Sequence, residues 1–275
     1  MAIRLKIGAR IIVLASLIFI VALGAIVAIS YASSSQLLSS AAYREGDLLA
    51  SLNAATLQAR LSEAAIDARG LANAFIAMKG RGAPDRSQFD AIMKRSLEAN
   101  PAFLDSWGVW EPEAFDGKDA AFKNKPFNDA SGRYLPTFDR GTGTIRQSVP
   151  IGYDVEANAD YYFRPLKLKQ EYVTEPYRYS YTGKKDDEIT MASVCVPILI
   201  GDKAVGVVGH DYSISSLADF LKDIKPFEGS YAILVSNSGP RLYHPKIEQI
   251  GKIIGDDVPD QQAALLAAIK AGKPY

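Results

Sequence analysis

The longest apolar run in the chain comes first. From Ile11 to Ile29 there is no charged residue, and only Ser16 and Gly24 interrupt the hydrophobic side chains. As a helix this run crosses about 30 Å of hydrocarbon. Arg4, Lys6 and Arg10 precede it, and the next charges are Arg44, Glu45 and Asp47. The positive-inside rule therefore leaves the N-terminus in the cytoplasm and exports the chain beyond the run. Ser30-Tyr31-Ala32 offers a loose small-x-small signal-peptidase site. The run is longer than a signal-peptide core, however, which favours an uncleaved anchor.

A proline-free stretch comes next, from Ser33 to about Lys79. Within it Leu57, Leu61, Ala64, Ala68, Leu71, Phe75 and Met78 recur at alternating steps of four and three, with Ala50 and Ala54 extending the series backwards. That period predicts one long helix with a single apolar face, turned to a partner helix or to the chain's own core. Gly80-Arg81-Gly82-Ala83-Pro84 ends it. Asp85, with Gln88 three residues on, caps a second helix whose apolar face is Phe89, Ile92, Met93 and Leu97. Asn100-Pro101 stops that helix.

The pattern then changes to strands. Phe103–Trp110 is apolar and aromatic, and 112–143 is polar and turn-rich, too long for a simple loop. Met191–Ile200 and Lys203–Val208 are β-rich runs around Gly201-Asp202, a hairpin signal. Ser213–Lys222 reads as a helix on Ile214, Leu217, Phe220 and Leu221. Tyr231–Val235 with Arg241-Leu242-Tyr243 reads as a second strand pair, and Gln261–Lys270 as a short helix. Too little chain remains to complete a second sheet of usual width, so the second module is expected to be incomplete and the sequence a fragment.

Composition narrows the functional classes. Lys and Arg number 31 and so do Asp and Glu, a balance that argues against nucleic acid as partner. Cys195 is the one cysteine, which rules out an internal disulfide and a cysteine metal site. The chain has no G-x-G-x-x-G, Walker-type loop, H-E-x-x-H or G-x-S-x-G. Its two histidines, His210 and His244, lie far apart, and His210 reads as structural. Nothing marks a catalytic centre, a metal or a cofactor.

Binding is the better reading, centred on 154–211. Aromatic faces attract cations, and a carboxylate adds a directional, charge-assisted bond. Asp211, at the end of a strand, suits an ammonium group. Trp107, Trp110, Tyr161, Tyr162, Tyr177 and Tyr179 are candidate walls. Each also fits a sheet or core role, and Asp211 also fits a cap on the helix after it.

Several motifs in order resemble the double Cache sensor family of bacterial transmembrane receptors, methyl-accepting chemotaxis proteins in particular. They are Asn100-Pro101 before Phe103–Trp110, Ala159-Asp160-Tyr161-Tyr162, Thr174-Glu175-Pro176-Tyr177 with Tyr181-Thr182-Gly183-Lys184, and Gly206-Val207-Val208-Gly209-His210-Asp211. Leu242-Tyr243-His244-Pro245 and Ile250-Gly251-Lys252 match the second module. The resemblance covers residues 8–275. In amino-acid-binding members it implies an Arg-x-Trp-Tyr motif and a strand-end Asp that takes the ligand's amino group. Here Tyr161-Tyr162 stands at the Trp-Tyr pair, Asp211 at that Asp, and Ala159 at the Arg. The usual carboxylate clamp is therefore missing unless Arg164 or Arg178 substitutes. An amine or other nitrogen-bearing ligand fits better than an α-amino acid, and purines and organic acids stay open.

The expected fold is α+β: a transmembrane helix in 1–32, a long periplasmic helix in 33–82, a membrane-distal PAS-like antiparallel-sheet module in 83–224 and a membrane-proximal one in 225–275. The expected function is a non-enzymatic inner-membrane chemoreceptor with a periplasmic sensor, a homodimer that reaches cytoplasmic signalling partners through a missing C-terminal region. The ligand-binding candidates are Asp211, Tyr161, Tyr162, Tyr177, Tyr179, Trp110, Trp107 and Arg164. The alternatives are the sensory input of a histidine kinase or diguanylate cyclase, and a membrane-anchored enzyme using carboxylates in 112–143.

Overall fold

Helix α1 (Ile7–Gly80) opens the computed structural model of the chain, which describes residues 7–82, 84–273 and 275. The cationic flank at Arg4 and Lys6 lies outside the described residues, as does Ala83 in the helix-breaking segment. Two compact units emerge. One takes the chain up to Asn53 together with Pro226–Ser230, and the other takes Ala54–Lys225 with Tyr231–Tyr275.

In the first unit the apolar run of α1 is fully exposed, with Ile11, Leu14, Leu17, Phe19, Ile20 and Ile26 all uncovered. Its best window has a mean hydropathy of 3.1 and none of it is buried, so it is long and apolar enough to cross a membrane.

The second unit is built on an antiparallel sheet of seven strands. These are β1 (Asp105–Trp110), β2 (Thr137–Asp139), β3 (Arg146–Ser148), β4 (Tyr172–Val173), β5 (Tyr177–Tyr179), β6 (Ile189–Ile200) and β7 (Lys203–Ser213). The order is β3-β2-β1-β7-β6-β4, with β5 also paired to β6. The β6–β7 hairpin turns at Gly201-Asp202, pairs Ile200 with Lys203 and carries a bulge at Ile198/Leu199. Gly201 supplies the positive φ of +59° that such a tight turn needs.

Each face of this sheet has its own cover. On one face lie the later part of α1 and α2 (Arg86–Ala99). The stripe along α1 turns to the chain's own core here: Ala64, Ala68, Leu71 and Phe75 are buried, with Leu57, Leu61 and Met78 packed beside them. Ala50 and Ala54 are exposed. Helix α2 is capped by Asp85, whose carboxylate accepts the N–H groups of Ser87 (2.8 Å) and Gln88 (3.2 Å). It buries Phe89, Met93 and Leu97, while Ile92, placed on that face by the sequence pattern, is 39% exposed. Phe75, Phe89, Trp110 and Phe115 pack edge-on or tilted at 5.2–6.2 Å between ring centres. Each fully buried ring of this kind contributes roughly 1.5–3 kcal/mol.

The opposite face is covered by α4 (Asp160–Leu168), which turns Tyr161, Tyr162 and Pro165 inward onto Trp107, Val109, Cys195 and Val207. The polar stretch 112–143 holds the short α3 (Asp119–Phe122) as well as β2. Arg86 is buried there against Asp116 (2.9 Å) and Asp119 (2.6 Å).

After β7 the chain forms α5 (Ile214–Ala218), which tightens into a 3₁₀ turn at Asp219–Asp223 in place of the continuous helix expected to Lys222. The second strand pair is shorter than its sequence pattern, β8 (Leu234–Val235) with β9 (Arg241–Tyr243), and Tyr231 lies outside it. Helix α6 (Pro259–Lys270) comes last.

Candidate functional site

Alternation along β1 puts Asp105, Trp107 and Val109 on the α4 face, and it puts Ser106, Gly108 and Trp110 on the other. In register with them stand Thr137 on β2, opposite Trp107, and Asp139, opposite Asp105. Gly209 on β7 lies opposite Trp107, and Asp211 pairs with Ser193 on β6. A Cβ at Gly209 would come within 2.5 Å of the Trp107 ring and 2.6 Å of the Val194 carbonyl, so glycine is what lets the indole lie flat on the strand.

A cavity of about 20 Å³ opens on this face. Its walls are Trp107, Thr137, Pro150, Tyr161, Tyr177, Tyr179 and Tyr181, and its floor is Asp105 and Asp211. That volume holds about one water. The loop over it is tied down by Tyr179, whose hydroxyl accepts the Ile151 N–H at 2.8 Å.

The two acids are almost completely buried and touch each other. Asp105 Oδ1 accepts the Asp211 backbone N–H (3.0 Å), and its Oδ2 accepts the Tyr181 hydroxyl (2.6 Å). Asp211 Oδ1 accepts Trp107 Nε1–H (3.0 Å), and its Oδ2 lies 3.5 Å from the hydroxyl of Tyr177, which pairs with Ser193 at 2.7 Å. Burial, and after it the adjacent Asp211 charge, drives the Asp105 carboxyl well above the ordinary carboxylate range. Burial also raises Asp211, but the Ser193 and Trp107 hydrogen bonds oppose it. Both carboxyls therefore lie above the ordinary carboxylate range, Asp105 the further of the two. Burial drives the phenols of Tyr161, Tyr177 and Tyr181 well up, keeping them neutral.

The structure brings together Trp107, Tyr161, Tyr177, Tyr179 and Asp211 of the residues picked out in the sequence. It places the other three elsewhere. Trp110 faces α1 and α2, in the aromatic core beside Phe75. Tyr162 directs its hydroxyl to Glu111 and Arg133. Arg164 is exposed, its guanidinium 4.7 Å from the centre of the Tyr172 ring. Arg178, the other candidate clamp, pairs with Glu188 at 2.8 Å. Asp211 caps no helix, since α5 begins at Ser213 without a side-chain cap. Asp105, Thr137 and Tyr181 also line the cavity and did not stand out in the sequence. Asp105 shares its face with Trp107 two residues on, and that spacing is the signal that could have found it.

A roomier cavity of about 530 Å³ lies among Tyr231, Arg241, His244, Lys246 and Asp256. The Arg241 guanidinium in its wall is already committed to Asp256 (2.7 Å) and Asp257 (3.3 Å).

A sheet with a long helix on one face, and an aromatic and acidic cavity on the other, defines a PAS-like sensor module. Residues 89–219 match the family described as methyl-accepting chemotaxis protein-like, first PDC sensor domain. The fold is similar to the extracellular domain of the putative histidine kinase mmHK1S-Z3, at 30% identity with a TM-score of 0.67, covering 80% of this chain and 75% of that one. It is also similar to methyl-accepting chemotaxis protein X, at 26% identity with a TM-score of 0.61, covering 84% and 86%. Among curated proteins, methyl-accepting chemotaxis protein TlpQ of Pseudomonas aeruginosa is 26% identical over 144 residues, 48% of this chain and 20% of TlpQ. The chain therefore spans a small part of that relative's length. Residues 89–219 hold a Cache-type ligand-sensing domain, a module shared by chemoreceptors and by the extracellular domain of a putative histidine kinase.

Proposed function

We propose that this chain is the sensory part of a transmembrane chemoreceptor whose first module, 83–224, binds a small cationic nitrogen compound between Asp211 and the tyrosines. The observation that carries this reading is the buried acid pair of Asp105 and Asp211 in a cavity with no lysine or arginine among the described residues that line it. Ionising such a pair away from water is costly unless a cation enters. Aromatic walls add cation–π attraction. A free carboxylate on the ligand would find only acids and neutral hydroxyls there, which disfavours α-amino acids and organic acids.

In this reading the apolar run of α1 anchors the protein in the inner membrane with its N-terminus in the cytoplasm, and the sensor faces the periplasm. Residues 225–275 begin a second, membrane-proximal module. Sensing involves no turnover. The ligand shifts the protein between two states only by its differential affinity for them. The likeness to a histidine kinase's extracellular domain favours one alternative, the same sensor coupled to a kinase output.

The test is a thermal-shift panel of amines, amino acids, purines and organic acids on the full chain in detergent. A ligand at 100 times its Kd stabilises the native state by about 2.7 kcal/mol, a visible shift. Shifts with amines support the reading. Shifts confined to organic acids or purines overturn it.

A further inference from the structure

The cavity contains more hydrogen-bond acceptors than the protein itself satisfies. An ionised carboxylate offers about four lone-pair sites. Asp105 accepts two hydrogen bonds from the protein, and Asp211 accepts one from Trp107 and one from Ser193, with the Tyr177 hydroxyl farther off at 3.5 Å. Two further polar atoms at the same wall are buried without any partner, Thr137 Oγ1 and the Tyr161 hydroxyl. Both residues are more than nine-tenths buried. An unpaired buried polar group costs about 1–3 kcal/mol, so orphans converging on one cavity mark the place of a missing partner.

That partner must bring donors. Two adjacent carboxyls and two hydroxyls with free lone pairs, with no lysine or arginine among the described lining residues, need positively charged hydrogen-bond donors aimed in several directions. A primary ammonium carries three N–H bonds and can reach both acids and one hydroxyl together. A quaternary ammonium carries the same charge and no N–H. It would gain the aromatic contacts but leave the remaining lone pairs of both acids and both hydroxyls unfilled.

We infer that this cavity reads N–H donors as well as charge: it takes a head group with at least two N–H bonds, a primary ammonium or an amidinium, bridged between Asp105 and Asp211, and it rejects quaternary ammonium ions. This rests on the amine reading above and makes Asp105 a second specificity-determining residue beside Asp211.

The experiment titrates the full chain in detergent, by calorimetry, with 1-butylamine and its N-methyl, N,N-dimethyl and trimethylammonium forms, at a pH where all are cationic. Affinity is expected to fall with each methyl group, by on the order of 100-fold from primary to quaternary. In Asp105→Asn the discrimination shrinks because a carboxyl is replaced by an amide that presents N–H donors of its own. Should that variant fold poorly, the methylation series on the unaltered chain decides alone. Equal or tighter binding of the trimethylammonium form overturns the inference while leaving the amine reading standing. Failure of every amine to bind, with binding of acids or purines in the panel, overturns both.

Discussion

His210 Nε2 lies 2.9 Å from Oδ1 of Asp67, which ties β7 to α1 through a histidine with no exposed surface. The other ring nitrogen, Nδ1, faces the backbone carbonyl of Asp105 at 3.1 Å, and Phe103 stacks on the ring at 4.4 Å. Asp67 also accepts hydrogen bonds from Ser96 and Asn100. Burial raises the Asp67 carboxyl, but the His210 and Ser96 hydrogen bonds outweigh it, and the net shift is downward. Both ring nitrogens thus face oxygen atoms of the protein. His210 is the chain neighbour of Asp211, and the carbonyl it holds belongs to Asp105. The floor of the cavity and the helix on the far side of the sheet therefore share a connected set of contacts.

Asp67→Asn keeps the shape of that contact and removes its charge. The expected loss of stability is about 1–3 kcal/mol, below the roughly 3–5 kcal/mol of a fully buried pair because Asp67 is partly exposed. Urea denaturation measures it, and an unchanged midpoint would mean the Asp67–His210 contact contributes nothing.

The acid pair sets a pH dependence of opposite sign. The folded-state pKa of Asp105 is raised, so its contribution to stability is complete below its ordinary value of 3.8 and is lost as pH rises through the raised value. The ligand-free protein should lose melting temperature over that rise, and Asp105→Asn should flatten the slope. A slope identical in the variant would remove Asp105 as its source.

The two tryptophans should separate by function. Trp107→Phe removes the indole N–H from Asp211 and should weaken ligand binding about 10-fold, the value of a hydrogen bond to a charged acceptor. Trp110→Ala should cost about 3–5 kcal/mol of stability, as large-to-small core changes do, and leave affinity within about threefold. Calorimetric titration beside denaturation distinguishes them, and a large affinity loss in the Trp110 variant would contradict its placement.

Arg86 holds the 112–143 stretch against α2 through Asp116 and Asp119. Arg86→Met leaves Asp116 and Asp119 buried without their cation, and a loss of about 3–5 kcal/mol is expected. Denaturation of the single variant beside one with all three made apolar checks this. The triple replacement should recover much of the loss, and an equal loss in both would contradict the ion-pair account.

Much of the fold was legible because it rests on local periodicity. The α1 stripe from Leu57 to Met78, the Asp85 cap and the Gly201-Asp202 hairpin arise from spacing and turn chemistry alone. The site was legible only in part, because a strand's two faces differ by a single residue. Trp107 and Trp110 look alike in sequence, yet the odd position faces the cavity and the even one the helical core. Asp105 was hidden because its place two residues before Trp107 gives the face it lies on but not its partner Asp211, 106 positions away. Arg164 and Tyr162 sit on the helix that carries Tyr161, and only the docking of α4 decides which of them points inward.

The most direct test is a crystal structure of the chain grown with 1-butylamine. Its nitrogen should lie within about 3.2 Å of an Asp211 carboxylate oxygen, with Tyr161 and Tyr177 around the alkyl chain. An empty first cavity, with the amine instead beside Arg241 and His244, would contradict the account.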